Sequence, residues 1–321
     1  MTSTSLTVPT LSEIQEAHRK IAPFIHRTPV YSCQSINRIV HADIWFKCEN
    51  MQKVGAFKAR GATNAVRSLA PDALAKGVAT HSSGNHAQAL SWAAGLAGTT
   101  AHIVMPSNST PVKVNAVASY GGVITLCEST LESREKTLAS VMEQTGAIEI
   151  HPYNNLKIIA GQATATVELL EERPELECVV APVGGGGLLS GTALACHYLS
   201  SQVRVMAAEP ALADDAFRSF TAKRFIPSVN PATIADGLRT SLGSITLPII
   251  LEYVDNIITV SETSIMEAMR LIWERMKLLV EPSAAVPLAA LMEKRDEFPG
   301  EKIGIILSGG NADLENLPWN R

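Results

Sequence analysis

The stretch Val78-Ala79-Thr80-His81-Ser82-Ser83-Gly84-Asn85-His86-Ala87 opens the part of the chain where strand and helix signals alternate most regularly. Val78 to His81 is strand-like, Ser82 to His86 is a polar turn, and Ala87 to Ala97 is an alanine-rich helix. Working outward, Ala101–Met105 reads as a strand ending at Pro106, and Pro111–Tyr120 as a helix closed by Gly121-Gly122. Val123–Leu126 is a strand, Leu131–Thr145 a helix and Ala147–Ile150 a strand. Short strands separated by helices imply βαβ units and a parallel sheet. The block from 77 to 152 therefore reads as a small unit inserted into a larger one made of residues 1–76 and 153–321.

The flanks carry the same grammar. Ser12–Ala22 reads as a helix with Ser12 as its N-cap. Asp43–Lys47 is a strand, Gly161–Glu172 a helix, and Cys178–Val183 a buried strand before a helix from Leu188 to Leu199. Val203–Ala208 and Asn256–Val260 are further strands. Ser264–Leu279 and Ser283–Lys294 are helices, and Lys302–Leu307 is the last strand. The fold class expected is α/β.

Composition narrows the partners. The 321 residues are 46% hydrophobic and 18% charged, enough apolar material for sizeable cores and too much for a disordered chain. A net charge of −4 gives no reason to expect nucleic acid or an anionic membrane. Five widely spaced cysteines without a C-x-x-C pair suit buried thiols in a reducing compartment. No signal peptide or spanning run is visible, so a cytoplasmic protein is expected.

Four clusters carry chemistry. In Gly55-Ala56-Phe57-Lys58-Ala59-Arg60-Gly61-Ala62, small residues surround one lysine, and apolar spacing places Lys58 in the first turn of a helix. There it faces the positive end of the helix dipole, which favours a neutral amine able to form a Schiff base with an aldehyde. Gly184-Gly185-Gly186-Gly187 follows a strand and opens a helix, so its amides can hold a phosphate. Two rivals are a tight turn and a dinucleotide fingerprint, in which Leu189 breaks the third glycine and Glu209 would bind a ribose. Ser82 to His86 can hold a carboxylate or merely cap the next helix. Ser308-Gly309-Gly310-Asn311, after the last strand, places a serine where open α/β sheets bind ligands. Separately, Glu209, Asp214 and Asp215 suit either a hard cation or a solvated turn. The eight histidines show no metal spacing, and Trp273 and Met276 read as core.

Together these segments, with Trp273 to Pro282 and Ala208-Glu209-Pro210, resemble the pyridoxal-phosphate enzymes of fold type II, closest to the serine racemase and serine/threonine dehydratase group. The matching segments span residues 12 to 314. The resemblance implies two open, twisted, mostly parallel sheets flanked by helices, with the cofactor in the cleft between two domains. It implies that Lys58 carries pyridoxal 5′-phosphate and acts as base. Phe57 would pack beside the ring, Asn85 would bond the ring oxygen, Gly184, Gly185, Gly186 and Gly187 would hold the phosphate, and Ser308 would face the ring nitrogen. Ser82, Ser83, Gly84, Asn85 and His86 would bind the substrate carboxylate, with Ser83 as the acid on the face opposite Lys58. Glu209, the Ala213 carbonyl and Asp215 would ligate Mg²⁺, Mn²⁺ or Ca²⁺, and the protein would be a homodimer acting on small amino acids. The expected reaction is loss of water from L-serine or L-threonine to give an oxo acid and ammonia, with serine racemisation beside it.

Three departures refine this. The chain ends soon after Asn311, so no regulatory domain is expected there. Tyr153 is an aromatic where animal racemases carry a smaller polar residue, which weighs against racemisation as the main activity. Arg134 could receive a second carboxylate, which would suit threo-3-hydroxyaspartate. The rival from another class is a nicotinamide-dependent oxidoreductase using Gly184–Gly187 and Glu209.

Overall fold

The computed structural model describes residues 8–320. The strands are β1 (Val30–Ser32), β2 (Asp43–Lys47), β3 (Val78–His81), β4 (Ala101–Pro106), β5 (Val123–Cys127), β6 (Ile148–Glu149), β7 (Cys178–Pro182), β8 (Arg204–Pro210), β9 (Asn256–Val260) and β10 (Lys302–Ile306). They form a six-stranded sheet in the order β1-β2-β10-β7-β8-β9 and a four-stranded sheet in the order β5-β4-β3-β6. Only β1 runs antiparallel to its neighbour, pairing Tyr31 with Phe46. All other pairs are parallel, as the alternation of short strands and helices requires. The fold is thus α/β with two mostly parallel sheets, as expected.

The centre of the large sheet explains its own sequence. Every residue of β7 is buried. One face packs under the Glu262–Met276 and Pro282–Lys294 helices through Val180, Ile305, Ile272 and Leu288. The other packs under the Gly187–Leu199 and Thr246–Tyr253 helices through Val179, Leu189 and Ile250. A strand covered on both faces has no reason to alternate polar residues, so it reads as a continuous apolar run. The edge strand β5 leaves Val123 and Leu126 exposed.

Several helix boundaries differ from expectation; the helix expected over Ser264–Leu279 spans Glu262–Met276, ended by Lys277 in the left-handed region at φ 59°. The first helix is Leu11–Ile21, capped by Thr10 and not Ser12. Thr10 Oγ1 accepts from Glu13 N while Glu13 Oε2 accepts from Thr10 N, a reciprocal box that starts the helix ahead of Ser12. The helix expected from Gly161 begins earlier, at Leu156, because Asn155 Oδ1 accepts from Lys157 N and Ile158 N. The Gln34–Val40, Pro71–Ala75, Asp215–Ala222 and Thr246–Tyr253 helices have no counterpart in the sequence reading.

The Lys58–Val66 helix joins the two sheets. Its Ala62 and Val66 share an apolar cluster with Val78, Leu90 and Ile103 of the small-sheet side. Its other face crosses the Leu156–Glu172 helix at a glycine contact so close that a Cβ on Gly161 would lie 2.6 Å from Gly61 Cα. Beside that crossing four charges are buried together. Arg60 donates to both oxygens of Glu49 and both of Glu168, at 2.7–2.8 Å. Lys47 Nζ donates to Glu168 Oε2 at 2.6 Å and to the Thr28 carbonyl at 2.7 Å. Two cations and two anions therefore neutralise each other with their hydrogen bonds satisfied, which is what makes such burial tolerable.

Candidate active site

Lys58 is the first residue of its helix, and the loop before it is stitched to the turn after β10. Phe57 N donates to Ser308 O at 3.0 Å, Gly310 N donates to Gly55 O at 2.8 Å, and Ala56 bridges Gly309. The loop turns through two left-handed residues, Val54 at φ 55° and Gly55 at φ 68°. Glycine takes that conformation freely, but a β-branched valine there is strained.

The Lys58 amine donates to the Pro152 carbonyl at 2.8 Å and lies 5.0 Å from the centre of the Phe57 ring. Lys58 keeps partial exposure, yet burial pulls its pKa down to about 8, against the opposing charge of Glu281. Burial, and not the helix dipole alone, is the principal cause of the amine's depressed pKa. Glu281 caps the Pro282–Lys294 helix and is 5% exposed. Burial, then the Asp236 charge, raises its carboxyl to about 7.

At the end of β3 the Ser82–His86 turn runs into the Asn85–Leu96 helix, whose first amides have no partner within the helix. The His86 ring is turned away from that opening: Nε2 is bonded to the Ile150 carbonyl at 2.9 Å, so it carries the proton. Burial and Lys58 hold its pKa at about 3, and Nδ1 is buried without a partner. The neutral ring has no N–H left for a carboxylate, so what His86 offers is its backbone amide. Asn85 Nδ2 donates to Glu281 Oε1 at 2.8 Å.

Opposite, Gly184 to Gly187 follow β7 and are all buried. Among the described residues the amides of Gly184, Gly185 and Gly186 donate to no protein acceptor, and Gly187 begins the next helix. A Cβ would strike Leu238 Cα at 2.9 Å from Gly184, and the Tyr153 ring at 2.3 Å from Gly185. A buried row of unpaired amides at a helix N-terminus calls for an anion. The residues present therefore fit a phosphate-bearing cofactor. Ser308, 3% exposed, follows β10 and shares this cleft through Phe57.

A second group lies at the end of β8. Both Glu209 oxygens accept backbone amides, from Ala216 at 2.9 Å and Phe217 at 2.8 Å. Both Asp215 oxygens are buried with no partner. Burial raises Glu209 well above the ordinary carboxylate range and Asp215 to about 6. No cluster of three or more His, Cys, Asp or Glu side chains suited to a metal occurs among the described residues; two carboxylates and the Ala213 carbonyl make a leaner set. The unpartnered Asp215 oxygens fit a divalent cation. Arg134, on the Leu131–Thr145 helix, has a buried Nε without a partner, and its charge is felt at His81, next to the Ser82–His86 turn.

Lys58, Asn85, Ser308 and the glycine loop thus face one cleft at the carboxyl ends of β3, β7 and β10. Sequence reasoning assigned no role to Glu281, Asn311 or the Pro152 carbonyl. The only signal for Glu281 was an acid wedged between Leu278-Leu279-Val280 and a helix-starting Pro282.

A family model described as "Pyridoxal-phosphate dependent enzyme" matches residues 21–309. The beta-hydroxyaspartate dehydratase of Paracoccus denitrificans is 48% identical over 313 residues, covering 98% of this chain and 99% of that protein. The crystal structure of serine racemase from Dictyostelium discoideum superposes with a TM-score of 0.91 at 48% identity, covering 95% of this chain and 99% of that one. The crystal structure of a threonine deaminase from T.th. superposes with a TM-score of 0.91 at 42% identity over 95% of this chain and 99% of its own.

Proposed function

The chain belongs to the pyridoxal-phosphate dependent enzyme family, and from that membership we propose that it is an ammonia-lyase of β-hydroxy amino acids with serine racemisation as a second activity. The observation that carries this reading is the Lys58 amine, held 2.8 Å from the Pro152 carbonyl with its pKa pulled down by burial, together with a row of unpaired glycine amides. Bound pyridoxal phosphate supplies an electron sink that acidifies the substrate's α-C–H and lets the β-hydroxyl depart.

The chain's own residues do the rest. Gly184 to Gly187 would hold the phosphate, Phe57 would pack beside the ring, Ser308 would face the ring nitrogen and Asn85 would bond the ring oxygen. The backbone N–H groups of the Ser82–His86 turn hold the substrate carboxylate together with the Ser82 and Ser83 hydroxyls. The Lys58 amine takes the α-proton, and the Pro152 carbonyl steadies it by accepting one of its N–H groups. Ser83 stands on the opposite face as the proton donor that racemisation needs. Loss of water and hydrolysis then yield oxo acid and ammonia. Glu209, the Ala213 carbonyl and Asp215 would hold a divalent cation with a structural role. A nicotinamide enzyme would need a glycine where Leu189 stands and would leave the Lys58 segment without a role.

A second reading is favoured by Arg134. Its unpartnered buried Nε suits the distal carboxylate of threo-3-hydroxyaspartate, the substrate type named for the Paracoccus relative. The test is a parallel assay of L-serine, D-serine, L-threonine and threo-3-hydroxyaspartate, scoring oxo acid and enantiomer. Wild type should form oxo acid, and Ser83→Ala should lose D-serine formation while keeping elimination. Arg134→Gln should lower kcat/KM for the diacid about 10–100-fold and leave serine little changed. Wild-type protein that forms no oxo acid from any of the four would overturn the lyase reading.

A further inference from the structure

Three hydrogen bonds in series run behind the Lys58 loop. Asn311 Nδ2 donates to the Val54 carbonyl at 2.8 Å and to Asn85 Oδ1 at 2.8 Å, and Asn85 Nδ2 donates to Glu281 Oε1 at 2.8 Å. The chemistry of the first bond fixes all the others. A backbone carbonyl can only accept, so the group that Asn311 turns to Val54 is its nitrogen. That nitrogen also faces Asn85, which must answer with its oxygen. The Asn85 nitrogen is then turned to Glu281. Asn85 can make this choice in only one way, and one of its two N–H bonds remains unspent.

The relay is built firmly at both ends. Val54 presents its carbonyl from a strained left-handed backbone, and Gly55 beside it is bonded to Gly310. A Cβ on Gly55 would lie 2.7 Å from Asn311 Oδ1, so the asparagine is pressed against the loop. Glu281 N donates to Gly309 O at 3.0 Å, and a Cβ on Gly309 would lie 2.6 Å from Glu281 Oε1. Glu281 and Asn311 are therefore both tied to the turn that follows Ser308.

We propose that Asn311 and Glu281 are positioning residues that hold the Asn85 amide in the one orientation leaving an N–H, and not a carbonyl oxygen, for the ring oxygen of bound pyridoxal phosphate. The inference rests on the reading of Asn85 as the partner of that oxygen. A donor there keeps the ring oxygen ionised; an acceptor there would draw a proton onto it. Bound cofactor shows the difference directly, because the ionised ring absorbs in the visible and the protonated ring in the near ultraviolet.

The test compares purified holoenzymes: wild type, Asn85→Ala, Asn311→Asp, and the double variant Asn311→Asp/Glu281→Gln. Three quantities are read: the ratio of visible to near-ultraviolet absorbance, the dissociation constant for pyridoxal phosphate, and Tm. Asn311→Asp puts an acceptor against Asn85 Oδ1 at almost unchanged volume. It should shift absorbance toward the ultraviolet and weaken cofactor binding about tenfold. In the double variant the two bonds of Asn85 can run backwards, although the Val54 carbonyl still lacks its donor. The new amide at position 281 donates to Asn85, and Asn85 donates to the new carboxylate at position 311. Stability should recover relative to Asn311→Asp alone while the absorbance stays shifted, an outcome that a purely structural role does not produce. Wild-type absorbance and affinity in Asn311→Asp would overturn the proposal, as would absorbance that recovers together with Tm in the double variant. Asn85→Ala separates the two levels: if it leaves the absorbance unchanged, the assignment of Asn85 itself fails; if it shifts the bands and Asn311→Asp does not, only the relay fails.

Discussion

The Lys58 amine sits between two opposing influences, burial that favours its neutral form and the Glu281 charge that favours its cationic form. Burial wins, leaving a pKa of about 8 and roughly a tenth of the amine neutral at pH 7, far more than for an ordinary lysine. Only the neutral amine attacks an aldehyde. Cofactor-free protein mixed with pyridoxal phosphate should therefore gain colour at a rate that climbs steeply up to about pH 8 and levels above it. A rate still climbing steeply beyond about pH 10, as for an ordinary lysine, would show that the cleft does not depress this group. The sequence exposed Lys58, the glycine loop and Ser308 because small residues and glycine runs are legible in one dimension. It hid the roles of Glu281 and Asn311, which arise from contacts between residues more than 190 positions apart, as in the Asn85–Glu281 bond. It also could not show that the His86 ring faces Ile150, which depends on a rotamer and not on residue type.

Strands and the longer helices were legible because periodicity and capping are local. Short helices such as Asp215–Ala222 were not, because there the carboxylate that receives the first amides comes from Glu209 on the preceding strand. The glycine crossing of the Lys58–Val66 and Leu156–Glu172 helices was equally hidden. Gly161→Ala would drive a methyl into the Gly61 backbone, and the opposing atoms are main chain and cannot step aside. It should cost about 1–3 kcal/mol of stability, as overpacking does. Gly95→Ala, in the Asn85–Leu96 helix, meets nothing nearer than 3.9 Å. It should stabilise the protein by up to about 1 kcal/mol through helix propensity. Urea unfolding of the two variants checks the opposite signs; equal losses would mean that the close approach is not what matters at Gly161.

For the whole molecule, the run of parallel units from β3 to β6 was readable, whereas the order of strands in the large sheet was not, since β10 returns between β2 and β7 from the far end of the chain. The β8 group has consequences at the same scale. Two buried carboxylates that form no ion pair among the described residues weaken the folded state, and a cation bound there would stabilise it. Magnesium at about 100 times its dissociation constant should add about 2.7 kcal/mol and raise Tm accordingly, with Asp215→Asn abolishing the rise. An equal rise in the variant would place the cation elsewhere. The cysteines lead somewhere else. Cys48, Cys178 and Cys196 are buried, and burial pushes the thiols of Cys48 and Cys178 up to about 12 and Cys196 higher still. Folded, they are nearly inert to alkylation; released, each regains ordinary nucleophilicity. Two of them lie inside the large sheet's own apolar packing, Cys178 on β7 and Cys48 just after β2. The chain thus carries an internal clock: the rate at which these sulfurs become alkylated records how often the large sheet opens, with no label introduced.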